Sequence, residues 1–120
     1  MYHKIRIGIL IENLLQDSGG AENYGLRLAA CLKDKYEVKI YCKQGDRLPD
    51  QVFRQYNVKP IEIYEYRFVS SKLKIVRAIE KRNRQKILNH IIPVECDVFI
   101  NCTSNRFVGY KDKIKSIHIM

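Results

Sequence analysis

Residues 4–27 read Lys-Ile-Arg-Ile-Gly-Ile-Leu-Ile, then Glu-Asn-Leu-Leu-Gln-Asp-Ser, then Gly-Gly-Ala-Glu-Asn-Tyr-Gly-Leu-Arg. An apolar run rich in β-branched residues gives way to polar loop residues, a glycine pair and a helical pattern. That is the signature of a strand–loop–helix unit. Such a unit makes an anion site, because the first N–H groups of the helix are unpaired and lie at the positive end of its dipole. Gly19 and Gly20 are the expected donors. Gly25 falls inside the expected helix, where glycine costs about 1 kcal/mol relative to alanine unless the helix lies close against a sheet. The Gly-x-Gly-x-x-Gly dinucleotide fingerprint is absent, since only Gly8 precedes the loop and it sits within the strand.

The rest of the chain extends this unit into an α/β order. The strand at 4–11 is apolar on both faces, as a central strand requires. The helix at 20–33 is expected to bury Ala21, Tyr24, Leu28, Ala29, Cys31 and Leu32, with Glu22, Arg27 and Asp34 toward water. An alternating strand follows at 37–42, then an irregular stretch at 43–57 with turn residues Gly45, Asp46, Pro49 and Asp50 and a short helical segment from 49 to 56. Residues 61–66 (Ile-Glu-Ile-Tyr-Glu-Tyr) read as an edge strand behind Pro60. A long helix is expected over 71–92, capped by Ser70 or Ser71 and stopped by Pro93. Strands at 97–101 and 114–120 complete the set. Right-handed crossovers then predict an open, mainly parallel, Rossmann-like sheet of about five strands in the order 3-2-1-4-5, in three layers with helices on both faces.

In such a sheet ligands bind where the strand order reverses, outside the carboxyl ends of the first and fourth strands. Two polar loops are expected to meet there. One contributes Glu12, Asn13, Gly19 and Gly20, with Glu22 in the first helical turn; the other contributes Asn101, Thr103, Ser104 and Asn105. Hydroxyls, amides and free backbone donors suit a ligand bearing phosphates and many hydroxyls, although an ordinary capped loop has the same composition.

The 120 residues allow one domain, and the net charge is +9 with 46% hydrophobic residues. The longest apolar runs are strand-sized, far short of a membrane span. No signal-peptide cleavage pattern follows the N-terminal run, so a cytoplasmic location is the expectation. Cys31, Cys42, Cys96 and Cys102 have no metal-like spacing with one another or with His3, His90 and His118, so reduced, buried thiols and no metal site are expected. The charge excess is concentrated: Arg67, Lys72, Lys74, Arg77, Lys81, Arg82, Arg84 and Lys86 stand against Glu80 alone between residues 67 and 86. A cationic helix face of this kind draws a protein to anionic lipid at about 1 kcal/mol per residue near the surface. Nucleic acid is the competing partner, disfavoured because no aromatic side chain interleaves residues 73–92. A solvated face that keeps the chain soluble is the third reading.

At the residues quoted above the chain resembles the N-terminal domain of family 4 glycosyltransferases of the GT-B fold. The resemblance rests on a first strand ending in Ile-Glu-Asn, then Ser-Gly-Gly-Ala-Glu and a helix with Leu-Ala-Ala, followed by Asp-Val-Phe-Ile-Asn and Ser-Ile-His-Ile. It implies an acceptor-side domain of a retaining enzyme that moves a sugar from a nucleotide-sugar donor to a saccharide or lipid-linked acceptor, with no cofactor beyond the donor itself. It places Gly19 and Gly20 near the donor diphosphate, and Glu12, Asn13, Glu22, Asn101, Thr103, Ser104, Asn105 and His118 on the acceptor side. The family's paired-glutamate signature belongs to a C-terminal domain that is not in this chain, which is therefore expected to be an incomplete half, inactive alone. An uncovered last strand leaves an apolar edge, so either self-association or an incompletely ordered C-terminus is expected. Lys72, Lys74, Arg77, Lys81, Arg82 and Arg84 are the candidate membrane-surface residues, placing the protein peripherally on the cytoplasmic membrane face. A non-catalytic module binding an anionic membrane, a nucleotide-sugar or a partner protein is the alternative.

Overall fold

A computed structural model describes residues 4–16, 20–67, 96–102 and 115–118. Strands β1 (Arg6–Leu10), β2 (Glu37–Lys43), β3 (Glu62–Tyr66) and β4 (Val98–Asn101) form a parallel sheet in the order β3-β2-β1-β4. Residues Lys115–His118 (β5) run parallel to β4 on its far side, with Asn101 opposite His118 in the register. Helix α1 (Gly20–Lys33) crosses from β1 to β2, and α2 (Pro49–Gln55) lies between β2 and β3. The expected helix at 71–92, with its six candidate membrane-surface residues, lies outside the described residues. So do Gly19, Thr103, Ser104, Asn105 and the side chain of His118.

One face of the sheet is aliphatic. Ile7, Ile9 and Ile11 pack with Val38, Ile40, Cys42 and Ile100, and both helices deliver side chains to this cluster: Leu26 and Ala29 from α1, Val52 and Phe53 from α2. The other face is aromatic and also buried. Leu10, Tyr41, Phe99 and Asn101 are 0% exposed, and the Tyr41 ring lies 5.9 Å from Tyr64 and 6.4 Å from Phe99. Gly8 makes that row possible, because a Cβ on it would stand 2.9 Å from Tyr41 Cε2 and 3.2 Å from Cys96 Sγ. A strand buried on both faces has the continuous apolar character that residues 4–11 display.

Three expectations about α1 are corrected, one being that Glu22, expected toward water, is half-buried on the sheet-facing stripe. Tyr24 is 52% exposed and Cys31 is exposed as well. The helix turns Glu22, Gly25, Leu26, Ala29 and Leu32 toward the sheet, the i, i+3, i+4, i+7 series, and this series leaves Tyr24 and Cys31 on the opposite flank. Gly25 serves the purpose its position suggests. An added Cβ would come within 3.0 Å of Ile11 and 3.3 Å of Cys102 Cβ, so the helix sits flush on the sheet at that residue.

Short α2 is held at both ends. Pro49 fills its first turn, and the Gln51 side chain reaches back to accept from Leu48 N at 2.8 Å. At its C-terminus Asn57 adopts φ 54°, while Val58 N donates to Phe53 O at 2.9 Å and Asn57 N to Arg54 O at 3.2 Å. This is a Schellman closure with asparagine in the glycine position.

Candidate functional site

The carboxyl ends of β1 and β4 lie side by side, and the chain leaves both strands through hydrogen-bonded extensions. Ile11 N donates to Tyr41 O at 2.9 Å, Lys43 N to Glu12 O at 2.9 Å, and Cys102 N to Leu10 O at 2.9 Å. Each bond continues a ladder one step past the strand end. Two polar side chains are buried at this point: Glu12 is 4% exposed and Asn101 0%. A carboxylate and a carboxamide buried at a strand terminus need compensating contacts, and both residues have interaction partners.

Helix α1 begins over the same end. Its contact through Gly25 with Ile11 and Cys102 sets the first turn above the termini of β1 and β4. Gly20 opens the helix at an exposed position, with no heavy atom within 4 Å of where its Cβ would be. Half-buried Glu22 follows on the sheet-facing stripe. Glu12, Asn13, Gly20, Glu22 and Asn101 are therefore grouped at one end of the sheet, and the backbone of His118 is level with Asn101 one strand further out.

The loop after β1 is less polar than its composition suggests. Leu14 and Leu15 are 0% exposed and belong to the aliphatic core. Turn bonds from Leu14 N to Ile11 O (3.2 Å) and from Gln16 N to Asn13 O (3.1 Å) shape the segment and leave Asn13 and Gln16 half-buried at its surface. A second loop, after β2, braces it. Arg47 N donates to Leu15 O at 3.0 Å, and Arg47 Nη2 to Leu14 O at 3.0 Å, while Nη1 reaches Gln55 Oε1. Gly45 is required there, since a Cβ would stand 2.3 Å from the Leu15 carbonyl oxygen. Sequence reasoning identified Gly45 as a turn residue but missed Arg47, whose role depends on contacts more than thirty residues away. The one local signal was Gly45 itself, a glycine two residues past the carboxyl end of β2.

Three thiols are chemically quiet. Burial raises the pKa of Cys42 to about 12, with a smaller push from Glu65. Burial alone raises Cys102 to about 11, and burial first of all raises Cys96. Thiols held protonated in this way pack as small hydrophobes. Among the described residues no group of three His, Cys, Asp or Glu side chains is placed to hold a metal ion, and no helix is long and apolar enough to cross a membrane.

Comparisons with family models, with curated proteins and with solved structures return no match for this chain.

Proposed function

We propose that the chain is the acceptor-side domain of a retaining, GT-B-type glycosyltransferase, in which the carboxyl ends of β1 and β4 face a nucleotide-sugar donor and a saccharide or lipid-linked acceptor. The observation that carries this reading is the grouping of an open helix start with the buried polar pair Glu12 and Asn101 at the switch point of a parallel sheet, where ligands of α/β folds bind. In it, Gly19 and Gly20 present amide donors to the donor diphosphate, and Glu12, Asn13, Glu22 and Asn101 contact hydroxyls, with Thr103, Ser104, Asn105 and His118 completing the acceptor side. A carboxylate in the first turn disfavours a phosphate pressed directly against it, so Glu22 faces the sugar end of the ligand.

The architecture proposed with it is a three-layer Rossmann-like unit of five strands, 3-2-1-4-5, completed by a helix over 71–92. Burial of Leu10, Tyr41, Phe99 and Asn101 on the face opposite α1 and α2 supports a second covering layer. Catalysis needs a second domain that completes the donor-nucleotide contacts, so this chain alone binds the donor through its diphosphate without turning over. The net charge of +9 favours a second reading, a non-catalytic module on an anionic membrane surface of the cytoplasm.

The experiment is calorimetric titration of the purified chain with uridine- and guanosine-diphosphate sugars, alongside an assay of sugar transfer to saccharide and lipid acceptors. Saturable donor binding without turnover is the expected result. Absence of binding by any donor, together with co-sedimentation on anionic vesicles, replaces the transferase reading with the membrane module.

A further inference from the structure

A depression of about 460 Å³ opens on the β2 side of the loop that follows β1, lined by Gln16, Gln44, Gly45 and Asp46. Its walls come from two loops that are locked together without a ligand. Besides the two Arg47 bonds to Leu14 and Leu15, Gln44 N donates to Tyr66 O at 2.8 Å and Lys43 N to Glu12 O at 2.9 Å. Gly45 meets Leu15 backbone to backbone, with 2.3 Å between its would-be Cβ and the carbonyl oxygen. A pocket fixed by main-chain bonds loses little further entropy when a ligand settles in it.

Among the described residues the lining carries two carboxamides and one carboxylate. Carboxamides donate and accept at once, and a carboxylate accepts at two oxygens, so the set matches neighbouring hydroxyls that each donate and accept. Phosphate finds the opposite conditions. The nearby guanidinium of Arg47 is committed to Leu14 O and Gln55 Oε1, and Asp46 adds a like charge. We infer that this pocket binds the neutral, hydroxyl-rich part of a saccharide, with Gln16, Gln44 and Asp46 as its polar contacts. The inference rests on the transferase reading for the class of ligand, a saccharide acceptor. It adds a neutral-sugar contact on the β2 side to the acceptor residues proposed at the carboxyl ends of β1 and β4.

The test titrates the full ¹⁵N-labelled chain with methyl glycosides of glucose, galactose, mannose and N-acetylglucosamine, and in a parallel arm with glucose 1-phosphate. At least one neutral glycoside is expected to shift the Gln16 and Gln44 side-chain amides and the Gly45 amide saturably, with the phosphorylated sugar binding more weakly. The double variant Gln16→Ala, Gln44→Ala weakens that binding roughly ten-fold, the loss of one or two neutral hydrogen bonds, while the remaining spectrum stays folded. Asp46→Asn narrows the gap between neutral and phosphorylated sugar. Failure of all four glycosides to shift these residues, or equal binding of glucose 1-phosphate there, overturns the inference. The donor site is read separately, at Gly20 and Glu22 with uridine diphosphate. Shifts at Gly20 and Glu22 alone remove the saccharide pocket and keep the transferase reading; shifts at Gln16 and Gln44 alone do the reverse.

Discussion

The two ends of the sheet handle polar groups in opposite ways. At the amino end, charges pair in the open: Arg6 Nε lies 3.7 Å from Asp97 Oδ2 with both side chains about 40% exposed, and Lys39 Nζ lies 3.6 Å from Glu62 Oε1. Asp97 also accepts from Arg6 N at 2.9 Å, which ties β1 to the start of β4. At the carboxyl end the polar residues Glu12 and Asn101 are buried instead. Exposed ion pairs add little to stability and suit a solvated surface. Buried polar residues at strand ends cost stability unless fully compensated, and such positions are where natural sequences depart from packing rules for the sake of function. The contrast separates an end of exposed ion pairs from an end of buried polar residues.

If the carboxyl end is core as well as site, its loop must be sensitive to truncation. Leu15→Ala should cost about 2–5 kcal/mol, because a fully buried side chain leaves a cavity that surrounding backbone cannot fill. The midpoint of urea unfolding measures this, and a loss below about 1 kcal/mol would detach the loop from the core.

Two glycine substitutions sharpen the picture, since the same change should act with opposite sign. Gly45→Ala drives a Cβ into the Leu15 carbonyl and should cost about 1–3 kcal/mol. Gly20→Ala meets open space at a helix start and should stabilise by about 0.4–1 kcal/mol through the unfolded chain. Equal effects at the two positions would contradict the loop-on-loop contact.

A pH dependence follows from Cys42. Its folded pKa of about 12 lies above the ordinary 9.0, so below pH 9 folded and unfolded chains both keep the proton. Between 9 and about 12 the unfolded chain ionises while the folded one does not, and stability falls as pH rises. The slope approaches about 1.4 kcal/mol per pH unit for this one group. Unfolding midpoints at pH 8 and 10 should separate, and Cys42→Ala should reduce the difference, leaving the share that Cys96 and Cys102 contribute in the same direction. Alkylation of the native chain at pH 8 should mark exposed Cys31 well before Cys42, Cys96 and Cys102.

The smallest effect belongs to the amino end. A double-mutant cycle on Lys39 and Glu62 should return no more than about 1 kcal/mol, diminished by salt. A larger coupling would mean that both ends of the sheet depend on polar contacts to the same degree.

Much of this arrangement was legible in the chain. The bounds of α1 follow from local periodicity, and Gly25 announced a close helix–sheet contact because glycine has no other reason to stand mid-helix. The parallel α/β order followed from the alternation of strands and helices. The buried stripe of α1 was misread because apolar residues encircle the helix: Tyr24 and Cys31 look as suitable as Leu26, and the stripe's centre is a glycine that carries no hydrophobic signal. Leu14 and Leu15 sat in a stretch scored as polar loop, and only tertiary contact shows that they fill the core. Arg47 was illegible for the same reason, since nothing near it in sequence hints at Leu14 or Leu15.

The measurement closest to the central claim is a ¹⁵N chemical-shift map of the full chain titrated with uridine diphosphate and guanosine diphosphate. The account predicts saturable shifts centred on Gly20 and Glu22 and reaching Glu12 and Asn101, with the amino-end residues Arg6, Lys39 and Glu62 unmoved. Shifts centred on the amino end, or none anywhere at saturating nucleotide, would contradict it.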